Sequence, residues 1–230
     1  MIGIIGAMTG EVEGFIAEMS NVTEFKKAGI TFYKGCLYGK DAVAARSGIG
    51  KVNAAVAAQI MADLYNVDII INSGVAGALS DKLDIGDIVI STDAIEHDMD
   101  ATGFGYKKGQ IPQMPVWDFK ADENDVKHAL EAMNTVNRDI HAYAGRIVSG
   151  DVFISDKTRK DELTELYNAM CTEMEGAAVA HTAYLNGIRF LIIRAISDKA
   201  DGSANMDYEQ FEKLAILHTR HFMKAFFDII

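Results

Sequence analysis

Short apolar runs that stop abruptly at small or polar residues, with helical stretches between them, constrain this chain more than any other feature. Ile2 to Ile5 is one such run, ended by Gly6; Asp68 to Asn72 is a second, and Arg189 to Ser197 a third. Runs this short, rich in isoleucine, read as strands buried on both faces. Ile85 to Ala94 and Ile140 to Val148 add two more strands, and Thr31 to Ser47 is a β-rich region punctuated by glycines. The spacing predicts helices over Glu11–Met19, the alanine-rich Lys51–Tyr65, Asp122–Asn134, Lys157–Tyr167, Glu175–Leu185 and a long closing stretch, Tyr208–Phe227. Strands alternating with helices predict an α/β fold with helices on both faces of the sheet, and the antiparallel-looking middle makes that sheet mixed. A chain of 230 residues suits one such three-layer α/β/α domain spanning residues 1–230.

Composition removes several functions. A formal net charge of −11 repels phosphate backbones, so a nucleic-acid partner is not expected, although a neutral nucleoside is not excluded. Cys36 and Cys171 form no CxxC pair and no disulfide framework, which predicts reduced thiols in a cytoplasmic protein. The N-terminus lacks the basic stretch of a signal peptide, and no apolar run approaches the roughly 20 residues that cross a bilayer. No Walker loop, HExxH or GxGxxG stands in the sequence, and the histidines are scattered, so no metal or redox cofactor is expected.

Ligands of open α/β sheets gather beyond the carboxyl ends of the strands. Those ends are Met8 to Glu11, Ser73 to Gly77 (read as a loop), Gly150 to Ile154, and Ser197-Asp198. Asp198, at the mouth of a buried strand, reads either as a desolvated general acid or as a helix cap. Glu11 reads either as a base for water or as an ordinary first-turn acid. Glu173-Met174-Glu175 precedes the small residues Gly176-Ala177-Ala178, and two acids there would be costly without polar partners; a vicinal diol is one, solvent another. Gly74-Val75-Ala76-Gly77 is a weak signal for close backbone approach. Gly103–Ala121, with both prolines and Trp117, is the one long irregular stretch, and such stretches are usually functional or interface-forming.

In order along the chain, Ile4-Ile5-Gly6-Ala7-Met8 with Glu11, Ser47-Gly48-Ile49-Gly50-Lys51-Val52, Asn72-Ser73-Gly74-Val75-Ala76-Gly77, Ser149-Gly150-Asp151-Val152-Phe153-Ile154, Glu173-Met174-Glu175 and Arg194-Ala195-Ile196-Ser197-Asp198 resemble the 5′-methylthioadenosine/S-adenosylhomocysteine nucleosidases of the purine nucleoside phosphorylase superfamily. The likeness spans essentially the whole chain. It implies the nucleoside phosphorylase-like fold and hydrolysis of the N-glycosidic bond of both nucleosides, with 5′-deoxyadenosine as a further substrate, in methionine salvage. By the same resemblance Asp198 protonates adenine N7, Ser197 holds Asp198, and Glu11 deprotonates the attacking water. Glu175 binds the ribose hydroxyls with help from Glu173, and Met174 lies under the sugar. Phe153 stacks on adenine, and the Ile154 backbone reads its edge. Ala7, Met8, Ile49 and Tyr208 line the pocket, beside Val75, Ala76 and Gly77. Ala101, Phe104 and Pro112 reach across to complete a partner's 5′ pocket, which implies a homodimer. Thr172 and Tyr208 depart from the family's pattern without removing a chemical role.

The rival readings are a phosphorylase of the same superfamily, a non-catalytic nucleoside-binding relative and a Rossmann oxidoreductase. Phosphorolysis needs cations around phosphate. Met8-Thr9-Gly10-Glu11 carries none, Val75 stands where a hydroxyl would help, and Arg46 is the one nearby cation. Glu11 and Asp198 are both present, against a non-catalytic relative, and the missing dinucleotide fingerprint weighs against an oxidoreductase.

Overall fold

A computed structural model of the protein describes residues 1–136, 140–202 and 204–230; the side chains of residues 134, 205–210 and 212 lie outside the described residues. The strands are β1 (Ile2–Gly6), β2 (Ser20–Lys27), β3 (Ile30–Leu37), β4 (Lys40–Arg46), β5 (Ile69–Ala78), β6 (Ile88–Glu96), β7 (Phe119–Lys120), β8 (Ala142–Ser149), β9 (Cys171–Glu173) and β10 (Arg189–Asp198). The helices are α1 (Thr9–Glu18), α2 (Lys51–Tyr65), α3 (Glu123–Val136), α4 (Lys157–Tyr167), α5 (Gly176–Asn186) and α6 (Ala204–Ile229).

All ten strands belong to one mixed sheet. β1 lies between β4 and β5, parallel to both, and β3 and β2 continue the sheet beyond β4 as antiparallel neighbours. On the other side the sheet curls. β10 pairs with both β5 and β6, β6 with β8, β8 with β9, and β9 returns to β5. Five strands thereby close into a ring, which brings the ends of β5, β8, β9 and β10 to one mouth.

Alternation of side chains across the pleat sorts the core into two layers. Ile4, Ala42, Ala44, Ile69 and Ile71 pack with Val12 and Phe15 of α1 and with Phe222, Phe226 and Phe227 of α6. Ile5, Val43, Ala45 and Ile70 face the other way, onto Ala54, Ala57, Ala58 and Met61 of α2. The alanine stripe of α2 is therefore a packing surface, one that lets the helix lie close to the sheet. The architecture is the expected α/β one with a central mixed sheet.

Three features differ from the sequence expectation. Ser73–Gly77 is not a loop: β5 runs unbroken from Ile69 to Ala78. Small residues stand there because other groups crowd the strand. A Cβ on Gly74 would sit 2.5 Å from Glu11 Oε1, and one on Gly77 would sit 2.7 Å from Asp198 Oδ1. β2 was not expected at all; it is an edge strand, exposed along its whole length, and has no buried face to impose alternation. β9 spans three residues, and pairing on both sides makes it a strand. The Gly103–Ala121 stretch is mostly irregular, with one 3₁₀ turn at Thr102–Phe104 and the short β7 at its end.

Candidate active site

Glu11 stands in the first turn of α1, just beyond the end of β1, and is 6% exposed. Its Oε2 accepts the N–H groups of Ala7 at 2.7 Å and Met8 at 2.9 Å, and its Oε1 accepts that of Val75 at 3.2 Å. Burial raises its pKa above the ordinary carboxylate value, against the pull of the nearby Arg194 charge and those three N–H groups.

Asp198 closes β10 and is 2% exposed. Ser197 Oγ donates to its Oδ2 at 2.9 Å, and the Ala200 N–H donates to its Oδ1 at 2.8 Å. The bare Cα of Gly77 lets β5 come up beside this carboxyl group.

Between these two acids lies a charged cluster. Arg194, 1% exposed, projects from the middle of β10. Its guanidinium donates to the Glu173 carboxylate and to Asn72, reaching the backbone oxygen of Asn72 at 3.2 Å. Its Nη2 lies 3.9 Å from Glu175 Oε2. Glu173 also accepts from Ser149 Oγ, from the Gly176 N–H at 2.7 Å and from the Glu175 N–H at 3.1 Å. Burial alone would push Glu173 up, but Arg194 and these donors hold it below the ordinary carboxylate range. Glu175 goes the other way. Burial and the Glu173 charge push it up to about 7, with Arg194 and a 2.8 Å hydrogen bond from the Gly50 N–H pulling back. Two carboxylates two residues apart thus differ in proton affinity because one is in direct contact with the arginine and the other is not.

Glu11, Glu173, Glu175 and Asp198 all line a single cavity of about 440 Å³, a size suited to a small organic ligand. Ala7, Met8, Ile49, Val75, Ala76, Gly77, Phe153, Met174 and Ser197 complete its walls, together with Thr172. Ile154 lines a smaller lobe beside it, sharing Gly77, Phe153 and Asp198. The Tyr208 side chain lies outside the described residues. Ala101, Phe104 and Pro112 do not line the cavity within one chain; Ala101 is buried, and Phe104 is 87% exposed. Arg46 also stays outside it, donating to Thr9 Oγ1 at 3.2 Å near the protein surface. Among the described residues no cluster of His, Cys, Asp or Glu could hold a metal ion.

Sequence reasoning gave Arg194 no role of its own. The signal was present: a charged residue in the middle of an otherwise apolar buried strand demands buried acidic partners. Thr172 was noted only as an unusual neighbour of Glu173, and its place on the cavity wall depends on β9, which is too short to read from periodicity.

The Phosphorylase superfamily model matches residues 1–228. The chain is 43% identical over 212 residues to the 5′-methylthioadenosine/S-adenosylhomocysteine nucleosidase of Staphylococcus haemolyticus, covering 92% of each chain. It is 42% identical over 218 residues to the enzyme of that name from Staphylococcus aureus, covering 94% of each. Among solved structures, the Neisseria meningitidis nucleosidase of the same name, in complex with methylthio-immucillin-A, aligns with a TM-score of 0.96 and 37% identity, over 100% of this chain and 99% of that one. The futalosine hydrolase of Helicobacter pylori aligns with a TM-score of 0.94 and 32% identity, over 100% and 97%.

Proposed function

The chain belongs to the phosphorylase superfamily and, within it, to the 5′-methylthioadenosine/S-adenosylhomocysteine nucleosidases, and from that premise we propose how its cavity performs the reaction. The enzyme hydrolyses the N-glycosidic bond of these two nucleosides, releasing adenine and the 5′-thio-substituted ribose. Asp198 shares a proton with adenine N7, which draws electrons out of the C–N bond and makes the base a better leaving group. Ser197 orients that carboxyl group through its 2.9 Å hydrogen bond. Positive charge develops on the ribose as the bond lengthens, as in glycoside cleavage. Glu11, Glu173 and Glu175 surround the place where that charge appears.

Glu11 is the base that aims the water. Its Oε1 accepts the Val75 N–H, and the second lone pair of that oxygen is the acceptor a water O–H needs. Glu175 takes the ribose hydroxyls, with Glu173 fixing it from behind and Met174 lying under the sugar. Phe153 and the Ile154 backbone hold adenine in the lobe beside Asp198. Water is the nucleophile because phosphate has no site here: the lone exposed arginine of the region, Arg46, is off the cavity, and Arg194 is already bound to Glu173.

We propose further that two copies assemble. Ile49, Val152 and Phe153 at the cavity mouth are each about half exposed, and Phe104 is nearly fully so. Apolar side chains beside a binding site suit a partner's surface, with Ala101, Phe104 and Pro112 reaching into the other subunit's 5′ pocket. Cytoplasmic action fits the two free cysteines and the lack, among the described residues, of a helix long and apolar enough to cross a membrane. 5′-Deoxyadenosine, which keeps the adenine and the ribose diol, is a further substrate by the same contacts.

The single observation that carries the mechanism is that the Glu11 and Asp198 carboxyl groups, 187 positions apart in sequence, line one cavity. Incubation of the pure protein with 5′-methylthioadenosine, with and without phosphate, tests it. Adenine should appear at the same rate in both; release that depends on phosphate would reject hydrolysis.

A further inference from the structure

We propose that Thr172 is a base-recognition residue, its hydroxyl hydrogen-bonding the purine in the lobe closed by Asp198. This deepens the nucleosidase reading and rests on it.

Thr172 sits in the middle of β9, in register with Gly77 of β5 and Val148 of β8. It lines both the main cavity and the lobe shared by Phe153, Ile154 and Asp198. It is 5% exposed, and its Oγ1 is sealed from solvent with no hydrogen-bond partner among the described residues. Buried hydroxyls are normally satisfied, and an orphan is a cost that the folded chain carries. Ser73, His97 and Arg220 also carry orphan buried atoms, but of these residues only Thr172 stands on the main cavity.

The surroundings narrow the partner. Ser197 Oγ is already engaged by Asp198, and Ala200 holds the other oxygen of that carboxyl group. Of the remaining walls of the lobe, Gly77, Val152, Phe153, Ile154 and Met174 offer no side-chain hydroxyl or amide, and the Glu173 carboxylate is engaged by Arg194, Ser149 and the Gly176 N–H. A staggered turn of χ1 exchanges the threonine methyl and hydroxyl without moving β9. A purine edge alternates acceptor nitrogens with, in adenine, an amino donor, and a hydroxyl can serve either. In its present rotamer the hydroxyl is turned away from the cavity and unsatisfied, and that turn of χ1 would bring it onto the purine edge, so its cost is returned on binding.

Thr172→Val removes the hydroxyl and keeps the shape. We expect KM for 5′-methylthioadenosine and Ki for free adenine to rise together by about five- to tenfold, the size of one hydrogen bond, with kcat within about twofold. We expect the melting temperature of the unliganded protein to rise by about 2–4 °C, since an orphan polar group has been removed. Thr172→Ser, which restores the hydroxyl, should restore both constants. Unchanged KM and Ki in the valine variant would overturn the proposal, as would a fall in melting temperature, which would mark a hydroxyl that serves the fold. Wild-type protein assayed alongside separates the two levels: with no adenine released by wild type, the nucleosidase reading itself fails and this inference with it.

Discussion

The two ends of the cavity hold their carboxyl groups by different means. At the sugar end, Glu11, Glu173 and Glu175 gather around the buried Arg194, where burial raises each carboxyl group and the arginine's charge opposes it, winning only at Glu173 with the help of its hydrogen-bond donors. At the base end, Asp198 accepts from the Ser197 hydroxyl and the Ala200 N–H. These two donors orient a group that trades a proton with the heterocycle. Groups that must stay anionic beside a developing cation need a counter-charge nearby, or burial would neutralise them.

The largest expected effects come from breaking either end. Asp198→Asn keeps the shape but trades one acceptor oxygen for an NH2 donor and has no acidic proton to share, and Glu11→Gln cannot accept a proton from water. Each should lower kcat by at least about 100-fold, the lower range for general acid–base groups, read as adenine release from 5′-methylthioadenosine. A variant that keeps more than about a tenth of wild-type turnover would remove that residue from its role.

Arg194→Met sharpens the contrast through stability. Burial lowers the arginine's pKa, but Glu173, Glu175 and Glu11 more than reverse that, so the cation is fully held. Taking away the charged partner of buried carboxylates costs about 3–5 kcal/mol, measurable by urea unfolding. A loss below about 1 kcal/mol, the size of one neutral hydrogen bond, would mean that charge does not organise the sugar end.

This contrast also separates what the sequence makes legible from what it hides. The acids Glu11, Glu173, Glu175 and Asp198 were legible because each follows a recognisable strand or opens a recognisable helix. Strands β1 and β10 and the helix α2 were legible from apolar runs and alanine content. The extension of β5 through Ser73–Gly77 was not, because glycine and serine signal loops, whereas here they make room for Glu11 and Asp198. β2 hid because both of its faces are exposed, and β9 because three residues carry no period. Arg194 hid for a different reason. It stands inside a recognisable motif, but a residue's electrostatic role depends on partners contributed by β5 and β9, and those meet it only once the ring closes.

The smallest predicted effect isolates one carboxylate of the cluster by its pH signature. Glu175 in the empty protein holds its proton up to about pH 7, well above the ordinary carboxylate value of 4.5. Between those two values the folded chain binds more proton at this site than the unfolded chain does, so its contribution to stability is full below about pH 4.5 and declines as pH rises through 7. Glu11, also raised, acts in the same direction. Glu173 is lowered, so its contribution is present above pH 4.5 and is lost only as pH falls below that, outside this window. His97, whose burial holds its pKa below 6.5, acts the opposite way as pH rises toward that value, so the test is a difference: between pH 5 and 7.5 the melting temperature of Glu175→Gln, which cannot ionise, should rise relative to that of wild type. The ceiling on the difference is about 1.4 kcal/mol per pH unit for one proton. Parallel curves for variant and wild type would mean that Glu175 is no harder to ionise than a carboxylate in water, and the distinction between the direct and the distant neighbour of Arg194 would collapse.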